Sequence, residues 1–208
     1  MNRQFIPLFI ESAKMKIIVF GGGRIALNKC RFLDEADITI MAKEILPELE
    51  AKASKVIKGD IPEDVRQIID PYDLVIAATE DVDLNTRIRD DALYMGINVN
   101  SAHGGGNVII PSMLRRDGYC VAVTSEGRVP SFPPYMVEEL DSLLDERYDR
   151  MLELMVEVRK YAMEDIPTLE KRKAFQEAVI HDKEVQRLVA EGHMDEAKKA
   201  AMNNLPKA

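Results

Sequence analysis

Residues 16–26 read KIIVFGGGRIA. The first five form a short, nearly continuous apolar run, the signature of a strand buried on both faces of a parallel sheet. Three glycines follow at once. From Arg24 to Glu35 the apolar residues Ile25, Ala26, Leu27, Phe32 and Leu33 fall on one helical face, so a helix over 24–35 is expected. A strand, a glycine turn and a helix in that order are the setting the dinucleotide fingerprint requires, here Gly21-x-Gly23-x-x-Ala26. The first glycine permits the tight turn, and the second lets backbone approach a pyrophosphate. Ala26 is small enough for helix and strand to touch. The unpaired amides of the helix start, with Gly22 between the two motif glycines, would face the phosphates.

The pattern continues outward. Strands are expected at 38–41, 55–58, 74–78 and 97–100, with helices at 44–53, 62–69 and 82–95 between them. Regular alternation of strand and helix argues a parallel α/β sheet of Rossmann type. It stops near residue 101. Gly104-Gly105-Gly106 follow, then two extended runs, 108–114 and 119–124, joined by Arg116-Asp117-Gly118, a hairpin signal. Pro111 would put its strand at an edge or bulge. Residues 130–134, PSFPP, mark a boundary, and 136–204 read as charged, amphipathic helices with a break near Pro167. The expected division is 1–106 for the nucleotide-binding domain, 107–134 for the hairpin region and 135–208 for a helical domain.

The whole chain narrows the function classes. Its 208 residues are 46% hydrophobic, enough for a packed core, and the net charge of −8 disfavours a nucleic-acid partner. The lone cysteines Cys30 and Cys120 form no CxxC pair and have no histidine at zinc-ligand spacing, so no metal site is expected. They read as reduced thiols of a cytoplasmic protein. No apolar run is long enough to span a membrane, and the patch at the start of segment 1–12 lacks the cleavage site of a signal peptide.

Several polar residues stand where ligands of such sheets bind, beyond the carboxyl ends of the strands. Glu44 lies near the spacing expected for a ribose carboxylate. It could equally be an acid in the first turn of the next helix. Lys43 beside it raises the possibility of a 2′-phosphate. Thr79 and Asp81 follow the fourth strand and should border the nicotinamide side; Asp81 can also cap the helix that starts at Val82. His103 is a candidate proton acceptor by residue type, or an ordinary loop histidine. His181 and His193 read as surface residues of the helical tail.

Three segments carry a family resemblance. FIPLFIESAKMKIIVFGGGRIALNK, residues 5–29, AATEDVDLN, residues 77–85, and INVNSAHGGGNVIIPSMLRRDGYCVAVTSEGRVPSF, residues 97–132, resemble the precorrin-2 dehydrogenase domain of siroheme synthases. The likeness covers roughly the first 150 residues. It implies NAD-dependent oxidation of precorrin-2 to sirohydrochlorin by a homodimer, with 107–134 as its dimerisation hairpin. It implies that Arg24-Ile25 and Lys43-Glu44 contact the dinucleotide and that Ser125 lies near the active site. Arg116 and Arg128 are the cations expected nearest a substrate that carries eight carboxylates. Ser101 departs from the bifunctional members, which have an aspartate there that is regarded as a general base. Serine resembles the dehydrogenase-only branch, so iron insertion is the alternative and not the main expectation. Ser101 acting with a water, Asp81 and His103 are the candidate catalytic groups. A non-catalytic NAD-sensing module fits the glycine motif but not residues 97–132.

Overall fold

The structure, a computed structural model, describes residues 4–205; the outer ends of segments 1–12 and 135–208 lie outside the described residues. Five strands form one parallel sheet: β1 (Lys16–Phe20), β2 (Asp37–Ala42), β3 (Lys55–Lys58), β4 (Leu74–Ala77) and β5 (Asn98–Ser101), in the order β3-β2-β1-β4-β5. Four helices alternate with them: α1 (Arg24–Lys29), α2 (Pro47–Glu50), α3 (Arg66–Ile69) and α4 (Val82–Tyr94). The chain order reverses between β1 and β4, which opens a crevice at their carboxyl ends.

The apolar run of β1 divides by alternation. Ile17 and Val19 join Ala26, Cys30, Leu49 and Ile76 on one face of the sheet. Ile18 and Phe20 join Val75, Ile88, Ala92 and Val99 on the other. All four β1 residues are fully buried. Burial on both faces accounts for the near absence of polar positions in this strand.

Three helices are shorter than their apolar pattern predicts. α1 ends at Lys29, and residues 30–36 continue as tight turns, with Leu33 N–H bonded to the Cys30 carbonyl at 3.2 Å. Leu33 still packs against the core from that looser path, beside Leu27 of α1. α2 begins only at Pro47, because Leu46 N–H is held by the Gly22 carbonyl at 2.9 Å; proline suits the first helical position. α3 is a single turn from Arg66, not a helix from residue 62.

Among the described residues the chain divides into two compact units, 4–111 with 126–129, and 112–125 with 130–205. The second holds the antiparallel pair β6 (Ser112–Arg115) and β7 (Cys120–Val123) and helices α5 (Phe132–Leu143), α6 (Glu146–Asp165), α7 (Leu169–His181), α8 (Lys183–Glu191) and α9 (Met194–Met202). Pro111 precedes β6 and is not part of it. Residues before it serve the parallel sheet instead: Val108 N–H bonds the Val99 carbonyl at 3.1 Å. Leu154, Val158 and Ala162, spaced four apart on α6, meet Phe175, Val179, Val185, Leu188 and Ala197 in a separate core. Ile166-Pro167 ends α6, and Thr168 caps α7 by accepting from Lys171 N–H. No helix among the described residues is long and apolar enough to cross a membrane.

Candidate functional site: a cleft over the glycine turn

The turn between β1 and α1 is held from both sides. Gly21 N–H bonds the Met41 carbonyl at 3.0 Å, Leu46 N–H bonds the Gly22 carbonyl at 2.9 Å, and Ala78 N–H bonds the Phe20 carbonyl at 2.8 Å. The tips of β1, β2 and β4 are thereby tied through backbone alone. Gly21 has φ +115°, and a Cβ there would lie 2.3 Å from the Ala78 carbonyl oxygen. At Gly22 a Cβ would lie 1.9 Å from the Glu44 carbonyl oxygen. At Gly23 it would meet nothing within 4 Å. The first two glycines serve the protein's own packing, and the third leaves open space in front of backbone. Gly23 is also the N-cap of α1 and offers no side-chain cap, so the first-turn amides keep their hydrogens for another partner. These features fit a dinucleotide pyrophosphate. Ala26 is fully buried, as the third motif position requires.

The turn forms the floor of a cleft of about 950 Å³, within the range of small-molecule and cofactor sites. Gly21, Gly22, Gly23, Arg24 and Ile25 line it from β1–α1, and Lys43 and Glu44 from the loop after β2. Thr79 and Asp81 line it from the loop after β4. Asp60 and Ile61 after β3, and Leu84 and Arg87 on α4, also line it and were not singled out as dinucleotide contacts from the sequence. The strand order carries the missing signal, since β3 stands next to β2 and brings its own tip to the cleft.

Lys43 pairs with Asp60 at 2.5 Å, both side chains being exposed. The Asp60 hydrogen bond and charge raise the Lys43 ammonium above its usual range. Glu44 and Glu63 add two carboxylates to the same cleft. Asp81 caps α4: its Oδ1 accepts from Asp83 N–H and Leu84 N–H, each at 2.9 Å. Both bonds go to one oxygen, which leaves the lone pairs of Oδ2 for another partner.

Ser101 and His103 lie outside that lining, one strand further along at the end of β5. Ser101 pairs with Ala77 in register and is 9% exposed. Gly106 returns under this strand end, where a Cβ would stand 2.3 Å from the Val99 carbonyl oxygen. The chain's own backbone therefore makes a close approach that Gly106 permits. Arg128 is exposed and pairs with Glu126 at 3.7 Å. Ser125 and Arg116 belong to the second unit. Arg116 Nη2 donates to Asp141 Oδ1 at 2.7 Å and to the Leu144 carbonyl at 3.2 Å, which ties β6 to the end of α5. Among the described residues no group of three or more His, Cys, Asp or Glu side chains is placed to hold a metal ion.

Fold and site together define a dinucleotide-binding α/β protein. Residues 8–112 match the sequence profile of a family described as "Putative NAD(P)-binding". The chain belongs to that family. It is 31% identical to Siroheme synthase 1 of Klebsiella pneumoniae subsp. pneumoniae, over 98% of this chain and 44% of that protein. It is 25% identical to the precorrin-2 dehydrogenase of Methanosarcina barkeri, over 96% of this chain and 93% of that protein. The chain thus spans less than half the length of the siroheme synthase and nearly all of the dehydrogenase. A solved structure of SirC, precorrin-2 dehydrogenase, has the same fold, with a TM-score of 0.72 at 19% identity, over 95% of this chain and 100% of that one.

Proposed function

We propose that this protein is an NAD-dependent dehydrogenase that oxidises precorrin-2 to sirohydrochlorin, acting as a homodimer in the cytoplasm. The observation that carries the dinucleotide half of this reading is the open face of Gly23 above a turn held rigid by its neighbours. The substrate half rests on likeness to a precorrin-2 dehydrogenase along nearly all of its length.

The reaction removes a hydride and a proton from a reduced tetrapyrrole. When bound, the nicotinamide ring supplies the hydride acceptor. The chain's own residues do the rest. The amides of 22–24 hold the pyrophosphate, and Arg24, Ile25 and Thr79 bound the dinucleotide's path. Glu44 accepts from a ribose hydroxyl. Lys43 is engaged by Asp60, and the carboxylates of Glu44, Asp60 and Glu63 repel a 2′-phosphate, which favours NAD over NADP. Asp81 is the proton acceptor through Oδ2, with Ser101 orienting a water one strand away. Arg116, Ser125 and Arg128 are assigned to the substrate's carboxylates, and 107–134 to the dimer contact. Conjugation increases in the product, so positioning supplies much of the rate.

Anaerobic incubation of the purified chain with precorrin-2, comparing NAD with NADP, tests the reading through the near-ultraviolet absorbance of the reduced nicotinamide. Turnover with NAD is expected. Tight dinucleotide binding with no oxidation of precorrin-2 would sink the substrate assignment and leave the cleft's assignment standing.

A further inference from the structure

Asn85 sits on α4 with no exposed surface, and its amide is fully engaged. Oδ1 accepts from Thr79 N–H at 3.0 Å and from the Thr79 hydroxyl at 2.9 Å. Nδ2 donates to the Thr79 carbonyl at 2.8 Å and lies 2.9 Å from His103 Nδ1. The Thr79 peptide sets the orientation of this amide. A backbone N–H can only donate and a carbonyl can only accept, so a flipped Asn85 would lose both contacts. An amide NH2 can only donate, so His103 Nδ1 must be the acceptor, and the neutral ring carries its hydrogen on Nε2.

The side chain of His103 is exposed, and Nε2 has no hydrogen-bond partner among the described residues. The one ring nitrogen with a lone pair is therefore turned inward and occupied, while the outward nitrogen presents a hydrogen. Arg89 runs along the same loop, its Nη1 only 2.5 Å from where a Gly105 Cβ would stand. That guanidinium is paired with Asp90 at 2.7 Å, and the outward N–H of His103 itself suits an anionic oxygen.

We infer that Asn85 is a positioning residue that holds His103 as an Nε2–H donor for a substrate carboxylate, and that His103 does not take the proton released in oxidation. The choice of substrate rests on the function proposed above; the hydrogen's location on the ring does not. The same amide clamps the loops after β4 and β5 to each other, so Thr79 on the dinucleotide side and His103 on the outer side move as one.

Nitrogen-15 NMR of the histidine side chains of the full chain tests this, with His103 assigned by the signal lost in His103→Gln. In the wild type, Nδ1 should resonate as an unprotonated acceptor and Nε2 as a protonated donor, without averaging. Asn85→Ala should average the two forms, and Asn85→Asp should draw the hydrogen onto Nδ1. A wild-type ring protonated on Nδ1 overturns the inference even if the Asn85 variants fail to fold, as does an Asn85→Ala variant with unchanged signals. In turnover, His103→Leu should raise KM roughly tenfold with little change in kcat, and His103→Gln, which keeps a donor, should recover most of that loss. A fall in kcat at unchanged KM would make His103 a base and overturn the inference. Absence of any precorrin-2 turnover in the wild type would defeat the proposed function while the NMR result still judged the ring.

Discussion

A Cβ on Gly22 would stand 1.9 Å from the carbonyl oxygen of Glu44, while one on its neighbour Gly23 would touch nothing within 4 Å. Adjacent glycines therefore do different work. Gly22→Ala should cost about 3 kcal/mol of stability, as overpacked sites with no room to relax do. Gly23→Ala should leave the melting temperature unchanged and weaken NADH binding about tenfold or more, because the new methyl occupies the space in front of the turn. Thermal melts paired with fluorescence titration of NADH check both. Equal loss of stability in the two variants would show that the third glycine serves packing as well.

Asp81 joins a capping duty to a proposed chemical one, and two substitutions separate them. Asp81→Ala removes the cap and should cost about 1 kcal/mol as well as turnover. Asparagine caps as well as aspartate, so Asp81→Asn should keep stability within a few tenths of a kcal/mol while turnover falls about a hundredfold. Ser101→Ala should show a much smaller kinetic loss. Full activity in Asp81→Asn would remove this residue from the proton's path.

Lys43 is occupied by Asp60 across the tips of β2 and β3. Asp60→Asn frees the ammonium and removes one carboxylate from the cleft, so the preference for NADH over NADPH should narrow severalfold, through tighter NADPH binding. Lys43→Ala in that background should restore the preference. Unchanged NADPH affinity in Asp60→Asn would place the ribose elsewhere in the cleft.

Burial pushes the Cys30 thiol up to about 11. The unfolded chain releases this proton at lower pH than the folded chain does. The thiol's contribution to stability is therefore complete below the unfolded value near 9 and is lost as pH rises toward about 11. The loss should reach about 2 kcal/mol across that window in urea melts of the wild type and be absent in Cys30→Ala. At neutral pH an alkylating reagent should modify Cys120, which is only partly buried, well before Cys30.

The glycine turn, the five strands and the switch to hairpin and helices were legible because each rests on local chemistry: a buried apolar run, a turn only glycine can make, a proline that stops a helix. Helix lengths were not. Leu33 keeps an apolar helical spacing although its backbone has left the helix, since a side chain can reach the core from a turn. Asn85 was invisible for a different reason. An asparagine on a charge-rich helix looks solvated, and only the approach of loops 78–81 and 102–106 gives it partners. Asp60 was missed because its meaning depends on which strand lies beside β2. The roles of Glu44 and Asp81 each had two local explanations, and for Asp81 the cap is made without excluding the other.

The backbone ties from Gly21 to Met41, Gly22 to Leu46 and Phe20 to Ala78 mean that the cradle is built before its guest arrives. Nothing in that floor must be ordered on binding, so little affinity is spent on freezing chain. Association with the dinucleotide should accordingly follow a single concentration-dependent phase in stopped flow, with no slower rearrangement behind it, and any gating belongs to the loops above the floor.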